Sequence, residues 1–116
     1  MFTNTFSPHI GGVAYSVAWL ANDLRTNGHQ VLVVAPEFDG APAGEVDVVR
    51  VPALQNFAGS DFSVPILLSR HMFSQIEQFE PDIVHSHHPF LLGGMALRVS
   101  AALDVPIIYT YHTRYE

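Results

Sequence analysis

The sequence predicts an α/β fold with a doubly wound, mainly parallel sheet that carries helices on both faces. Two kinds of segment support this prediction: short β-branched runs, and longer segments with apolar residues at helical spacing. Residues 31–35 are apolar throughout, which indicates burial on both faces, as in a parallel sheet between two helix layers. Strands that alternate with amphipathic helices over short connections are typical of doubly wound, Rossmann-like domains.

The composition fits one globular domain with a substantial core. Of the 116 residues, 48% are hydrophobic and 14% are charged, a balance typical of folded domains of this length. Five arginines, no lysine and eleven acidic residues give a net charge of −6, so no basic footprint for nucleic acid is present. The absence of cysteine excludes disulfides and thiolate metal sites, and it fits a cytoplasmic location. No apolar run is long enough to cross a bilayer.

Each element follows from a local pattern. Strands are predicted over residues 1–4, 31–35, 46–51, 83–86 and 107–111, and helices over residues 13–27, 65–79 and 90–103. The first helix carries one apolar stripe, and Gly28 is suited to end it. Pro65 suits the first position of the second helix, whereas residues 52–64 show no period and are predicted as a loop. Gly93 and Gly94 weaken the third helix, which close packing against another element would explain.

Two adjacent glycines, Gly11 and Gly12, lie at the entrance of the first helix. Free backbone N–H groups and the positive end of the helix dipole face outward at such a position, and glycine lets a ligand approach closely. The corner is therefore suited to a phosphate or a carboxylate. A tight turn without a ligand explains the same residues, and both interpretations stay open. The loop matches neither a dinucleotide fingerprint nor a P-loop.

Histidines cluster where two predicted strands end. His85, His87 and His88 accompany the fourth strand, and His112 follows the fifth. The period of two puts His85 and His87 on one face, and the carboxyl ends of parallel strands meet at one edge of the sheet, where ligands bind. Neutral imidazoles suit zinc, but no carboxylate lies among them, so a polar cluster that serves hydrogen bonds is favoured over a metal site.

An ordered set of motifs covers essentially the whole chain. Its pieces are residues 6–13, 28–36, 81–87 and 105–113. Together they resemble the N-terminal domain of glycosyltransferases with the GT-B fold, family 4 type. Residues 87–93 and 110–116 look most like members that glucosylate diacylglycerol.

The resemblance implies a retaining transfer of a sugar from a nucleotide-sugar donor, UDP- or GDP-linked, to an acceptor hydroxyl, with a glycerolipid as one acceptor. It implies no metal and no cofactor besides that donor. Gly11 and Gly12 would contact the donor, and His112 would lie beside the transferred sugar as the catalytic residue. The residues expected on the acceptor side are His9, His85, His87, His88, Thr113 and Arg114.

The resemblance further implies that residues 1–116 form a single acceptor-side domain, truncated at the C-terminal end. The short first strand, with only a few residues before Ser7, predicts a truncation at the N-terminal end as well. The C-terminal donor-binding domain with its acidic motif is missing, so this fragment alone is expected to be inactive and to expose an apolar or poorly covered face. Expected partners are the nucleotide sugar, a sugar or lipid acceptor and the missing domain, with peripheral contact at the inner face of a membrane. Two alternatives remain open: another GT-B enzyme such as a sugar-nucleotide epimerase, and a non-catalytic ancillary domain.

Overall fold

The computed structural model describes residues 1–4, 6, 12–37, 45, 47–54, 64–65, 69–88 and 92–112. Its helices are α1 (Gly12–Thr26), α2 (Arg70–Phe79) and α3 (Leu92–Leu103). Its strands are β1 (Val33–Pro36), β2 (Val48–Val51), β3 (Ala53–Leu54), β4 (Val64–Pro65), β5 (Val84–Ser86) and β6 (Ile107–Tyr109). This order of elements confirms the predicted α/β class.

The main sheet is parallel and is centred on the first residues of the chain. β1 pairs with β2, and β5 pairs with β6, both in parallel. Phe2 bridges Val34 of β1 on one side and Ser86 of β5 on the other. The spatial order is therefore β2, β1, residues 1–3, β5, β6. The strand predicted over residues 1–4 is reduced to this bridge at Phe2, which lies at the centre of the parallel sheet.

Helices cover both faces of the sheet, because side chains alternate along each strand. Val34 and Val84 belong to a core cluster with Ile76 of α2 and with the inward face of α3. Val33, one residue earlier, points the other way and joins a second cluster with α1. The uninterrupted apolar run at β1 is thus buried on both faces, as the sequence predicts.

α2 begins later than the sequence predicts. Ser69 is its N-cap, and the Ser69 hydroxyl accepts a hydrogen bond from the backbone N–H of Met72 at 3.2 Å. Pro65 belongs to β4, which pairs antiparallel with β3, so the assignment of Pro65 to the first helical position is wrong. The fixed φ of proline suits an extended edge strand as well as a helix start, and only Ser69 supplies the capping acceptor. The loop predicted over residues 52–64 likewise contains β3.

Apolar side chains are exposed at the β6 edge of the sheet. His85 and Ile108 are register partners, and Ile83 lies two residues before His85, so all three share the face opposite α3. Ile83 is 46% exposed and Ile108 is 48% exposed. The described part of the chain therefore exposes two half-covered isoleucines on this face, and a large apolar face stays a prediction. None of the helices described is long and apolar enough to cross a membrane.

The third helix approaches the end of β5 closely at one glycine. A Cβ atom added to Gly93 would lie 2.0 Å from the carbonyl oxygen of His88 and 3.3 Å from the Ser86 hydroxyl oxygen. The same addition at Gly94 would meet no described atom within 4 Å. Close packing therefore explains Gly93 but not Gly94. The contact presses α3 against the backbone that carries the histidine cluster.

We expect Gly93→Ala to lower the free energy of unfolding by about 1–3 kcal/mol, the usual cost of overpacking, because backbone atoms must move. Gly94→Ala is the matched control. It should leave stability unchanged or raise it by up to about 1 kcal/mol through helix propensity. Denaturant unfolding of both variants measures the difference. Equal stability of the two variants would contradict the close packing of α3 on β5.

Candidate functional site at the carboxyl edge of the sheet

The candidate site lies where the direction of strand addition reverses. From residues 1–3 the chain adds β1 and β2 on one side, and then crosses to add β5 and β6 on the other. Ligands of open α/β sheets bind outside the carboxyl ends of the strands at such a switch point. The residues that follow the central segment, β5 and β6 are Asn4, His87 with His88, and His112.

Three of the histidines are in ring contact. His87 is 2% exposed, and its Nδ1 atom lies 2.9 Å from Nε2 of His112. On its other side, the ring centroid of His87 lies 4.2 Å from that of His85. The Nε2 atom of His85 lies 2.6 Å from the hydroxyl oxygen of Thr110. The sequence prediction that His85 and His87 share a face and that His112 arrives from the neighbouring strand end is confirmed.

His88 occupies a separate position beneath α3. It is 9% exposed, and its Nε2 atom lies 3.4 Å from the hydroxyl oxygen of Thr3. The Ser86 hydroxyl donates to the His88 carbonyl oxygen at 2.7 Å and fixes the turn that leaves β5. His88 and His112 have ring centroids 6.4 Å apart. His88 therefore completes the cluster from the side of the central segment.

Two polar residues of the site were missed by the sequence prediction. Thr3 is fully buried beside His88, and the side-chain oxygen of Asn4 accepts a hydrogen bond of 3.0 Å from the backbone N–H of Leu92. Asn4 thus satisfies an amide at the start of α3. The signal in the sequence was the change from Phe2 to polar residues where the central strand ends.

The two buried histidines, His87 and His88, are uncharged near neutral pH. Burial, reinforced by His85 and His112, lowers the pKa of His87 to about 3. Burial, with a smaller effect of His112, lowers the pKa of His88 to about 4. Burial also lowers the pKa of His85. Neutral imidazoles can donate and accept hydrogen bonds, so His87 and His88 can support a polar ligand site without placing charge in the sheet.

No metal-holding group of three or more histidine, cysteine, aspartate or glutamate side chains is found among the described residues. The nitrogen atoms of His87 and His112 that approach each other are within hydrogen-bonding distance. Their geometry gives the zinc interpretation no support.

Gly12 opens α1, whose first turn contains no acidic residue. A Cβ atom at Gly12 would meet no described atom within 4 Å, so the start of the helix is open there. The chain order puts this helix end at the carboxyl edge, because α1 follows the central segment. Four of the predicted site residues lie outside the described part of the chain: His9, Gly11, Thr113 and Arg114.

A groove of about 530 Å³ lies elsewhere, between α2 and α3. Phe73, Met95 and Val99 give it an apolar lining, with Arg70 and Arg98 beside them. None of the predicted site residues that the structure describes lines this groove. The carboxyl edge therefore remains the place where those described residues meet.

Stability is expected to fall as the pH drops from about 6.5 toward 4. The unfolded chain protonates its histidines near pH 6.5, whereas folded His87 and His88 resist protonation until about pH 3 and 4. Unfolding therefore takes up protons in this range, and the free energy of unfolding decreases with falling pH. Denaturant titrations between pH 7.5 and 4.5, a range of about three units, measure the slope.

His88→Asn should reduce this slope, and His71→Ala, at an exposed position on α2, should retain it. A free energy of unfolding that does not change with pH between about 6.5 and 5 would contradict the neutral, buried state of His87 and His88.

Comparison with known proteins identifies the family. The model of Glycosyltransferase Family 4 matches residues 10–116. An alpha-monoglucosyldiacylglycerol synthase of Streptococcus pneumoniae is 30% identical over 100% of this chain and 26% of its own length. A GDP-mannose-dependent alpha-mannosyltransferase of Corynebacterium glutamicum is 33% identical over 94% of the chain and 27% of its own length.

A sulfoquinovosyl transferase of Arabidopsis thaliana is 36% identical over 78% of the chain and 18% of its own length. No solved structure matches the chain significantly. The chain spans about a quarter of the length of the first two relatives. Because the family model matches nearly the whole chain, and the parallel sheet agrees with it, the chain belongs to Glycosyltransferase Family 4.

Proposed function

We propose that the protein containing this chain transfers a sugar from a nucleotide-sugar donor to an acceptor hydroxyl, with retention of the anomeric configuration. The observation that carries the proposal is the meeting of His85, His87, His88 and His112 at the switch point. This is the edge where a doubly wound sheet receives ligands. The family match supports the same activity.

The open start of α1 is proposed to face the donor diphosphate. Negative charge develops on the diphosphate as the bond from its oxygen to the anomeric carbon breaks. Backbone N–H groups at a helix start stabilise such charge without reorganising. Gly12 leaves room for this approach, because no described atom lies within 4 Å of a Cβ position there. Gly11, its neighbour in the sequence, is proposed to share the role.

His112 is proposed to contact the transferred sugar. It is the member of the cluster that comes after the last strand, and its side chain is partly exposed, unlike that of His87. His85 is also partly exposed, so it can contact an acceptor. Because His87 and His88 are buried, they are proposed to support the exposed side chains that contact the acceptor. His9, Thr113 and Arg114 are proposed to complete the acceptor side.

The acceptor is proposed to be a hydroxyl of a glycerolipid, reached at a membrane surface. Support comes from the relative named alpha-monoglucosyldiacylglycerol synthase, which aligns over the whole chain. The mannosyltransferase relatives are named for GDP-mannose, so GDP-linked sugars are donors to test. UDP-linked sugars, which the resemblance also implies, are the other donors to test. A further domain of the same protein is proposed to bind the nucleotide, because the chain spans about a quarter of these relatives. No observation favours an epimerase or an ancillary domain.

In the full-length protein, His112→Ala should lower kcat by roughly a hundredfold while KM changes much less, because a contact made in the transition state is lost. His29→Ala is the control. His29 is exposed and follows the far end of α1, away from the carboxyl edge. Steady-state kinetics with a panel of nucleotide sugars and diacylglycerol acceptors measures both. Equal losses in the two variants, with folding intact, would refute the assignment of the site.

A further inference from the structure

The buried imidazole of His87 has one nitrogen that is paired and one that is not. Its Nδ1 atom lies 2.9 Å from Nε2 of His112, while the two ring centroids are 5.1 Å apart. The rings thus approach through their nitrogen edges. Within the described chain, Nε2 of His87 has no hydrogen-bond partner and is shielded from solvent.

The position of His87 is fixed by its surroundings. Its backbone N–H donates to the carbonyl oxygen of Phe2 at 3.0 Å, which continues the sheet pairing beyond β5. The ring of His85 covers one face of the His87 ring, at a centroid distance of 4.2 Å. The sheet hydrogen bond and the His85 ring therefore hold the His87 ring in its position beside His112. His87 is 2% exposed.

Two neutral arrangements satisfy the contact between His87 and His112. In the first, Nδ1–H of His87 donates to the bare Nε2 of His112. In the second, Nε2–H of His112 donates to the bare Nδ1 of His87. Neutral His87 then carries its proton on Nε2. The second arrangement leaves a buried N–H group without an acceptor, and such orphaned donors are rare in proteins. The first arrangement leaves only the lone pair on Nε2 of His87 without a partner.

We propose that His87 is a positioning residue that donates a hydrogen bond from Nδ1 to Nε2 of His112 and thereby holds His112 in the tautomer protonated at Nδ1. The hydrogen-bonding partner of one ring nitrogen decides which nitrogen carries the proton. The low pKa of His87, about 3, keeps His87 neutral, as the arrangement requires.

The consequence for transfer rests on the proposed function. In this tautomer, the remaining ring nitrogen of His112 is a hydrogen-bond donor, and the basic nitrogen is already occupied by His87. No described residue hydrogen-bonds to Nδ1 of His112, and the proposal assigns this donor to a ligand. His112 therefore presents an N–H group to an oxygen of the sugar and does not remove a proton from the acceptor.

The tautomer is measured directly by long-range ¹H–¹⁵N correlation spectra of the full-length protein, selectively labelled with ¹⁵N-histidine, at neutral pH. The signals of His112 are assigned by their absence from the His112→Gln variant. The expected result is a protonated Nδ1 and an unprotonated Nε2. A proton on Nε2 of His112, alone or together with one on Nδ1, would overturn the proposal.

Two substitutions separate positioning from simple packing. His87→Phe keeps a ring against His85 but removes the donor, so His112 should lose its single tautomer and kcat should fall roughly ten- to a hundredfold with little change in KM. His87→Asn keeps a donor near the position of Nδ1 and should restore much of both. An unchanged His112 tautomer in His87→Phe would overturn the proposal. If that variant does not fold, the wild-type spectrum alone decides.

The spectra and the kinetics test separate claims, so the proposed function and the positioning role of His87 can be refuted independently. If the wild-type protein transfers no sugar, the proposed function is wrong, whatever the tautomer. If His112→Ala retains full transfer activity, the assignment of His112 to the site is wrong. If the wild-type spectrum shows a proton on Nε2 of His112 while His112→Ala is inactive, the site stands and the positioning role of His87 is wrong.

Discussion

The backbone of residues 1–3 is hydrogen-bonded on both sides, and the rest of the site depends on this pairing. Thr3 donates to the carbonyl oxygen of Val34, Phe2 donates to that of His85, and His87 donates back to Phe2. These bonds place β1 and β5 on opposite sides of one segment, which creates the switch point. They also bring Thr3 beside His88, across 85 positions of sequence. Without the pairing, Thr3 would not lie against His88, and this side of the histidine cluster would be uncovered.

Filling the interior of a sheet with these histidines lowers the stability of the fold. Imidazoles at His87 and His88 must stay neutral, and the unpaired Nε2 of His87 costs about 1–3 kcal/mol relative to a satisfied group. A leucine or phenylalanine would avoid this cost. Sites where local stability is given up are characteristically functional. The close approach at Gly93 shows that α3 packs tightly against the turn that carries these histidines.

Sequence patterns predicted the sheet well because the spacing of apolar residues along each strand indicates which of its faces are buried. The apolar run at β1 and the period of two at His85 and His87 depend only on neighbours in the chain. The start of α2 was wrong because Pro65 fits a strand as well as a helix, and the pairing of β3 with β4 is a contact between separate segments. Thr3, Asn4 and the contact of His87 with His112 depend on register between distant strands, which no local pattern specifies.

If the carboxyl edge at the switch point receives the nucleotide-sugar donor, binding of that donor should protect this edge from solvent. Hydrogen–deuterium exchange of the full-length protein, with and without the nucleotide sugar that it uses, measures this protection. We expect added protection in peptides that contain Gly12, His87 and His112, with no change in the peptide around His29 at the opposite end of α1. Protection confined to that opposite end, or to the groove beside Arg70 and Arg98, would contradict a donor site at the carboxyl edge.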